Sequence, residues 1–167
     1  MTRAEFADLL TRFNERPLPA TAARHVYIWQ TSIEDLSSMV PAQLISTLNL
    51  HDLCRKLVNT PNTADAARQV ILDALDAWLS HEFPHDDRQR LLVVLGCDLM
   101  ARYRVPIGHF MRLSNESRMV VFLIPGGDSR FKPSKPLPSY IYVQPEATLA
   151  YFKPQLAEDA VIGERSQ

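Results

Sequence analysis

Two stretches leave this chain the least freedom. Leu91-Leu92-Val93-Val94-Leu95 and Met119-Val120-Val121-Phe122-Leu123-Ile124 are continuous apolar runs, ended by Gly96-Cys97-Asp98 and by Pro125-Gly126-Gly127. A strand without polar alternation has to be covered on both faces, which places both runs at the centre of a parallel sheet. Helices must then lie above and below. The rest of the chain supplies them.

Thr2 and Glu5 have capping-box spacing, and Phe6, Leu9, Leu10 and Phe13 follow as one apolar stripe, so the first helix docks on something. Arg16-Pro17-Leu18-Pro19 ends it, because proline supplies no amide and disfavours helix before itself. Arg24 to Gln30 is a strand rich in β-branched and aromatic residues, and Gln43 to Thr47 a second, short one. Asn49 can cap a helix carrying Leu50, Leu53, Cys54 and Leu57 on its inner face. After the break at Pro61-Asn62-Thr63, a long helix runs from about Ala64 to Ser80, burying Ala67, Ile71, Ala74, Leu75 and Trp78. A strand fits Tyr140 to Val143, and Pro145 can open a last helix reaching Phe152. Gly126 to Pro138, with Pro133, Pro136 and Pro138, reads as a mobile or partner-facing loop rather than a linker.

Strands alternating with helices predict a single α/β domain: a parallel, P-loop NTPase-like or Rossmann-like sheet of about five strands with helices on both faces. The expected division is a docking helix and linker over 1–23, the α/β domain over 24–157 and a polar tail over 158–167. A chain of 167 residues with 46% hydrophobic and 22% charged residues can bury a core without disulfides. Cys54 and Cys97 read as reduced thiols of a cytoplasmic protein. No apolar run approaches the ~18 residues of a membrane span, so no membrane association is expected. The net charge of −1 does not mark a nucleic-acid binder.

Ligands of open parallel sheets lie beyond the carboxyl ends of the strands. The loop after the first strand would cradle phosphate if it carried glycines and a lysine, but it reads Gln30-Thr31-Ser32-Ile33-Glu34-Asp35-Leu36. No glycine occurs between Met1 and Leu95 and no lysine before Lys56, while Glu34 and Asp35 repel a triphosphate. Asp98, at the end of an apolar strand, either caps the next helix or stands where a nucleotide hydrolase orients magnesium. His81 and His85 are separated by the helix-breaking Pro84 and form no zinc pattern, so no metal is expected. No serine has the flanking glycines of a nucleophile elbow. Cys97 reads either as a reactive strand-end thiol or as a buried one.

Charge is unevenly spread. Asp65, Asp73, Asp76, Glu82, Asp86 and Asp87 are opposed over that stretch only by Arg68, whereas Arg88, Arg90, Arg102, Arg104, Arg112 and Arg118 face only Asp98 and Glu116. Arginine forks suit carboxylate and phosphate recognition, so Arg102, Arg104 and Arg112 are the candidate contact residues, joined by Arg130 and Lys132 of the proline-rich loop. The plainer reading is a solvated face paired with the acidic helix.

Taken in order, the chain runs strand, altered loop, strand, long helix, acid-ended strand, arginine-bearing helix and strand. In that order it resembles a P-loop NTPase core whose phosphate loop, the Walker A element, is degenerate. It is similar in size and segment order to the small P-loop subunit family (BrxF) of BREX anti-phage systems, over about 24 to 152. Leu48-Asn49-Leu50-His51-Asp52-Leu53, Leu91 to Asp98, Arg118 to Ile124 and Tyr140 to Tyr151 carry the likeness. The Gly-Lys-Ser/Thr element of such subunits is absent from Gln30 to Leu36, so no nucleotide cofactor and no catalytic residue is carried over.

The resemblance implies a non-catalytic accessory subunit in a bacterial defence or DNA-processing complex, binding protein partners or its own copies. Two alternatives stay open. One is a nucleic-acid binder using Arg102, Arg104, Arg112, Arg130 and Lys132; the other is a small enzyme using Asp98 with His109 or Cys97.

Overall fold

The computed structural model describes residues 1–22, 24–57, 61–124 and 145–163. Among them, β1 (Val26–Trp29), β2 (Ile45–Asn49), β3 (Arg90–Leu95), β4 (Arg118–Leu123) and β5 (Val161–Ile162) form one sheet in the order β2-β3-β4-β1-β5. Every strand pair is parallel, so this is the α/β, Rossmann-like or P-loop-like architecture expected from the two apolar runs. Those runs are β3 and β4, adjacent at the sheet's centre, and residues 91–94 and 118–122 are buried.

The helices divide between the faces as crossover handedness requires. Passing β2→β3→β4 advances along the sheet one way, and the helices on those connections share one face. They are α3 (Leu50–Arg55), α4 (Ala64–Glu82), α5 (Cys97–Tyr103) and α6 (Gly108–Leu113), joined by α7 (Pro145–Phe152) between β4 and β5. Ile71, Leu75, Met100, Phe110 and Phe152 pack there on Val26, Ile28, Val94 and Phe122. The return from β1 to β2 runs the opposite way, and α2 (Ile33–Ser37) covers the other face beside α1 (Arg3–Glu15).

Some boundaries differ from expectation. β2 begins two residues later than Gln43, because Pro41 is followed by a 3-10 turn over Ala42–Leu44 that uses up that segment. In α4 the buried stripe is Ile71, Leu75 and Leu79, with Trp78 only half-buried. Residues 158–163 do not form a separate tail. Val161 and Ile162 pair with Ile28 and Trp29 as β5, and Ala160 and Ile162 are buried beside α1. The strand expected over Tyr140 to Val143 and the loop Gly126 to Pro138 lie outside the described residues.

The Thr2–Glu5 capping box forms as expected, and Phe6, Leu10 and Phe13 are fully buried while Leu9 is half-buried. What α1 docks on is the chain's own sheet: the Phe6 ring lies 5.1 Å from Tyr27 and 5.7 Å from Trp29. Phe6, Leu10 and Phe13 are therefore core, and Leu9 alone of the stripe keeps part of its surface.

Candidate functional site

α2, which follows β1, and α7, the next described element after β4, lie on opposite faces, so the switch-point crevice of the sheet opens between the carboxyl ends of β1 and β4. The sequence shapes it locally. Ser32 accepts from the amide of Asp35 at 3.1 Å and so caps α2, whose first turn carries Glu34 and Asp35. The Trp29 indole donates to the Ser32 carbonyl at 2.9 Å, tying the loop down onto the strand. Thr31 Oγ1 is buried there without a hydrogen-bond partner. Where a phosphate loop would present amides and an ammonium, this chain presents a short acidic helix turn.

The next two strand ends build the most organised polar group of this edge. Asn49, the last residue of β2, accepts from the amides of His51 at 3.0 Å and Asp52 at 3.4 Å, which starts α3 and turns His51 across the sheet edge. In the neighbouring strand, Gly96 has φ 73°, a left-handed conformation that lets α5 begin abruptly after Leu95. A Cβ at Gly96 would meet His51 Cδ2 at 2.7 Å, so the glycine is also what admits the imidazole. Asp98 lies in the first turn of α5, and its Oδ1 stands 2.8 Å from His51 Nε2.

Side-chain exposures of 44% for His51 and 25% for Asp98 place the pair at the surface but partly shielded. The hydrogen bond to Asp98 raises the His51 pKa above its ordinary value, against the opposite pull of burial. With Nε2–H donated to the carboxylate, neutral His51 carries its lone pair on Nδ1, an arrangement able to take up a proton. Among the described residues no nucleophile is hydrogen-bonded to that ring. Asp98 therefore does not cap α5 with its side chain, as the sequence suggested; Gly96 is the cap residue and Asp98 holds His51.

The enzyme constellation expected from sequence is not assembled. Cys97 is buried, its thiol donates to the Val94 carbonyl at 3.4 Å, and burial pushes its pKa strongly up. Such a thiol stays protonated and unreactive. His109 is on α6, 2.8 Å from Asp76 of α4, and does not pair with Asp98. The cysteines Cys54 and Cys97 are both free, and no group of metal-ligating side chains occurs among the described residues.

No family model, curated protein or solved structure matches this chain. The site has to speak for itself. Among the described residues, no helix is long and apolar enough to cross a membrane.

The arginines are dispersed over successive helices. Arg102 is half-buried with its guanidinium 5.4 Å from the Tyr103 ring, and Arg104, just past α5, is exposed with φ 52°. Arg112, at the end of α6, is exposed and 3.2 Å from His109 Nδ1. Toward the acidic helix, His109 lies 2.8 Å from Asp76, whereas the Arg68–Asp65 pair at 3.2 Å is internal to α4. Arg130 and Lys132 lie outside the described residues. Two groups escaped sequence reasoning. His51 would have been found by noting that β2 and β3 are each followed within three residues by a titratable side chain, His51 and Asp98. In sequence Arg118 is one of a run of arginines that reads as a solvated face, whereas its side chain is entirely buried.

Proposed function

We propose that this protein is a non-catalytic subunit on an NTPase-like α/β frame that binds protein partners, within a bacterial anti-phage or DNA-processing assembly. The observation that carries the reading is the turn after β1: Ser32 caps a helix opening with Glu34 and Asp35, at the position where a triphosphate would need amides and a cation. The sheet order supports it. With β1 lying between β4 and β5, the sheet departs from both the dinucleotide-binding and flavodoxin-like orders. Arg102, Arg104 and Arg112 are the proposed partner contacts. The first two are joined to no carboxylate among the described residues, so their charge remains available to an acidic surface.

The test joins two measurements on the purified protein. Calorimetric titration with ATP is expected to show no magnesium-dependent uptake. Co-expression with proteins encoded by neighbouring genes is expected to yield a complex of fixed stoichiometry, lost in Arg102→Glu/Arg104→Glu. Magnesium-dependent nucleotide binding, or a persistent monomer beside every such protein, would overturn the reading.

One observation favours a second reading, an enzyme at the strand ends: the oriented His51–Asp98 pair. Hydrolysis of an ester or phosphoester panel that disappears in His51→Ala would establish it.

A further inference from the structure

The opposite, amino edge of the sheet contains a charge that the fold does not satisfy. Arg118 opens β4 and has no exposed side-chain surface. Its Nη2 donates to the carbonyls of Pro84 and, at 3.3 Å, of Asp86. Nε and Nη1 are buried with no hydrogen-bond partner, which leaves three of the five guanidinium protons unmatched. Burial pulls its pKa below the ordinary arginine value, yet an arginine remains protonated at any working pH.

Nearby groups do not neutralise it. Among the described residues the one carboxylate beside it is Asp86, 3.9 Å from Nη2, and that carboxylate is held at 2.6 Å by Arg90. The hydrogen bonds from Arg90 keep Asp86 below the usual carboxylate range, so it is one negative charge shared by two arginines. Arg90 and Arg118 are register partners in the sheet, and both guanidinium groups stack on the Phe83 ring, at 5.9 and 5.3 Å. A buried cation with unmatched donors is costly to keep, so a group that supplies acceptors is favoured.

Space for such a group adjoins it. A cleft of about 400 Å³ is bordered by Arg118, Phe83, His85, His109, Arg112 and Asp76. The lining carries two guanidinium groups, Arg112 at the exposed rim and Arg118 beneath the floor, against the one carboxylate of Asp76, which lies 2.8 Å from His109. A concave, cationic site of this size suits a compact oxyanion rather than an extended peptide.

We propose that this amino-edge cleft is an oxyanion-binding site for a phosphate group, in which Arg112 receives the anion at the rim and Arg118 supplies the buried donors. The phosphate arrives either as the free ion or as the monoester of a small metabolite. The site does not depend on the partner-binding reading and requires no magnesium. It is at the other end of the sheet from Ser32 and Asp98.

Arginine Nε–H spectra of the intact protein, recorded during titration with inorganic phosphate at constant ionic strength, test it. A saturable shift of the Arg118 Nε resonance is expected, with chloride giving none. Arg112→Ala should weaken the response about tenfold, the loss of one charge-assisted contact. Arg118→Met should remove it; should that variant fail to fold, Arg112→Ala decides alone. Repeating the titration with a sugar phosphate and with AMP separates the sources, since tighter saturation by either identifies a monoester. Absence of any phosphate response, an equal response to chloride, or a response to an Asp/Glu-rich peptide alone would overturn the proposal, the last in favour of a protein partner.

Discussion

The two ends of this sheet solve the same problem differently. At the carboxyl edge, Ser32, Asn49 and the His51–Asp98 pair use their polar groups on the chain itself, as helix caps or as an ion pair. At the amino edge, Asp86 is divided between Arg90 and Arg118, and Arg118 keeps donors without acceptors. Parallel sheets collect ligands at the carboxyl edge because helix starts and strand ends converge there. In this molecule that edge leaves the neutral Thr31 hydroxyl unpartnered beside β1, whereas the unmet charge lies at the other. The lesson is that a fold-level rule locates where a site is easiest to build, whereas side-chain satisfaction shows where one is still needed.

Four substitutions sharpen or break this contrast. Phe83→Ala removes the ring on which both guanidinium groups stack, a fully buried aromatic, and should cost about 3–4 kcal/mol in urea unfolding. Little loss would show that the amino edge is not packed around these cations. At the carboxyl edge, Gly96→Ala forces a side chain into a left-handed conformation and against His51. It should cost about 2 kcal/mol and perturb the Asp98 environment in spectra. An unchanged His51–Asp98 contact in that variant would count against the role assigned to the glycine.

The smaller effects read the caps and the ion pair. Ser32→Ala should cost about 1 kcal/mol by leaving the Asp35 amide without its acceptor, measured from the same unfolding curves. His51→Ala should cost about 0.5 kcal/mol, since the pair is half-exposed and screened. Its pH dependence has a definite sign. The folded pKa of His51 is raised, so the contribution is full below the unfolded value of about 6.5 and lost as pH rises through the folded pKa. The variant should therefore fall short of the parent near about pH 5.5 and match it near about pH 9.

Much of this fold was legible in the chain, and the reasons are local. β3 and β4 were announced by apolar runs that only a double-covered strand can accommodate, and α1 by a capping box whose two partners are three residues apart. β5 was not legible, because two residues give no period and its burial comes wholly from pairing with β1. The candidate site was half legible. Asp98 stood out at a strand end, but its partner is 47 residues away and is reached only because Asn49 and Leu95 are register neighbours. Arg118 looked like one more surface arginine. What buries it is the Phe83–Asp86 turn, more than 30 positions earlier in the chain.

Titration of the isotope-labelled protein with ATP, with and without magnesium, tests the central contrast most directly. The account predicts that Gln30 to Leu36 and Asp98 stay unmoved in both conditions, any response being confined to Arg112, Arg118 and their neighbours. Saturable shifts at Gln30 to Leu36 and Asp98 that require magnesium would contradict it.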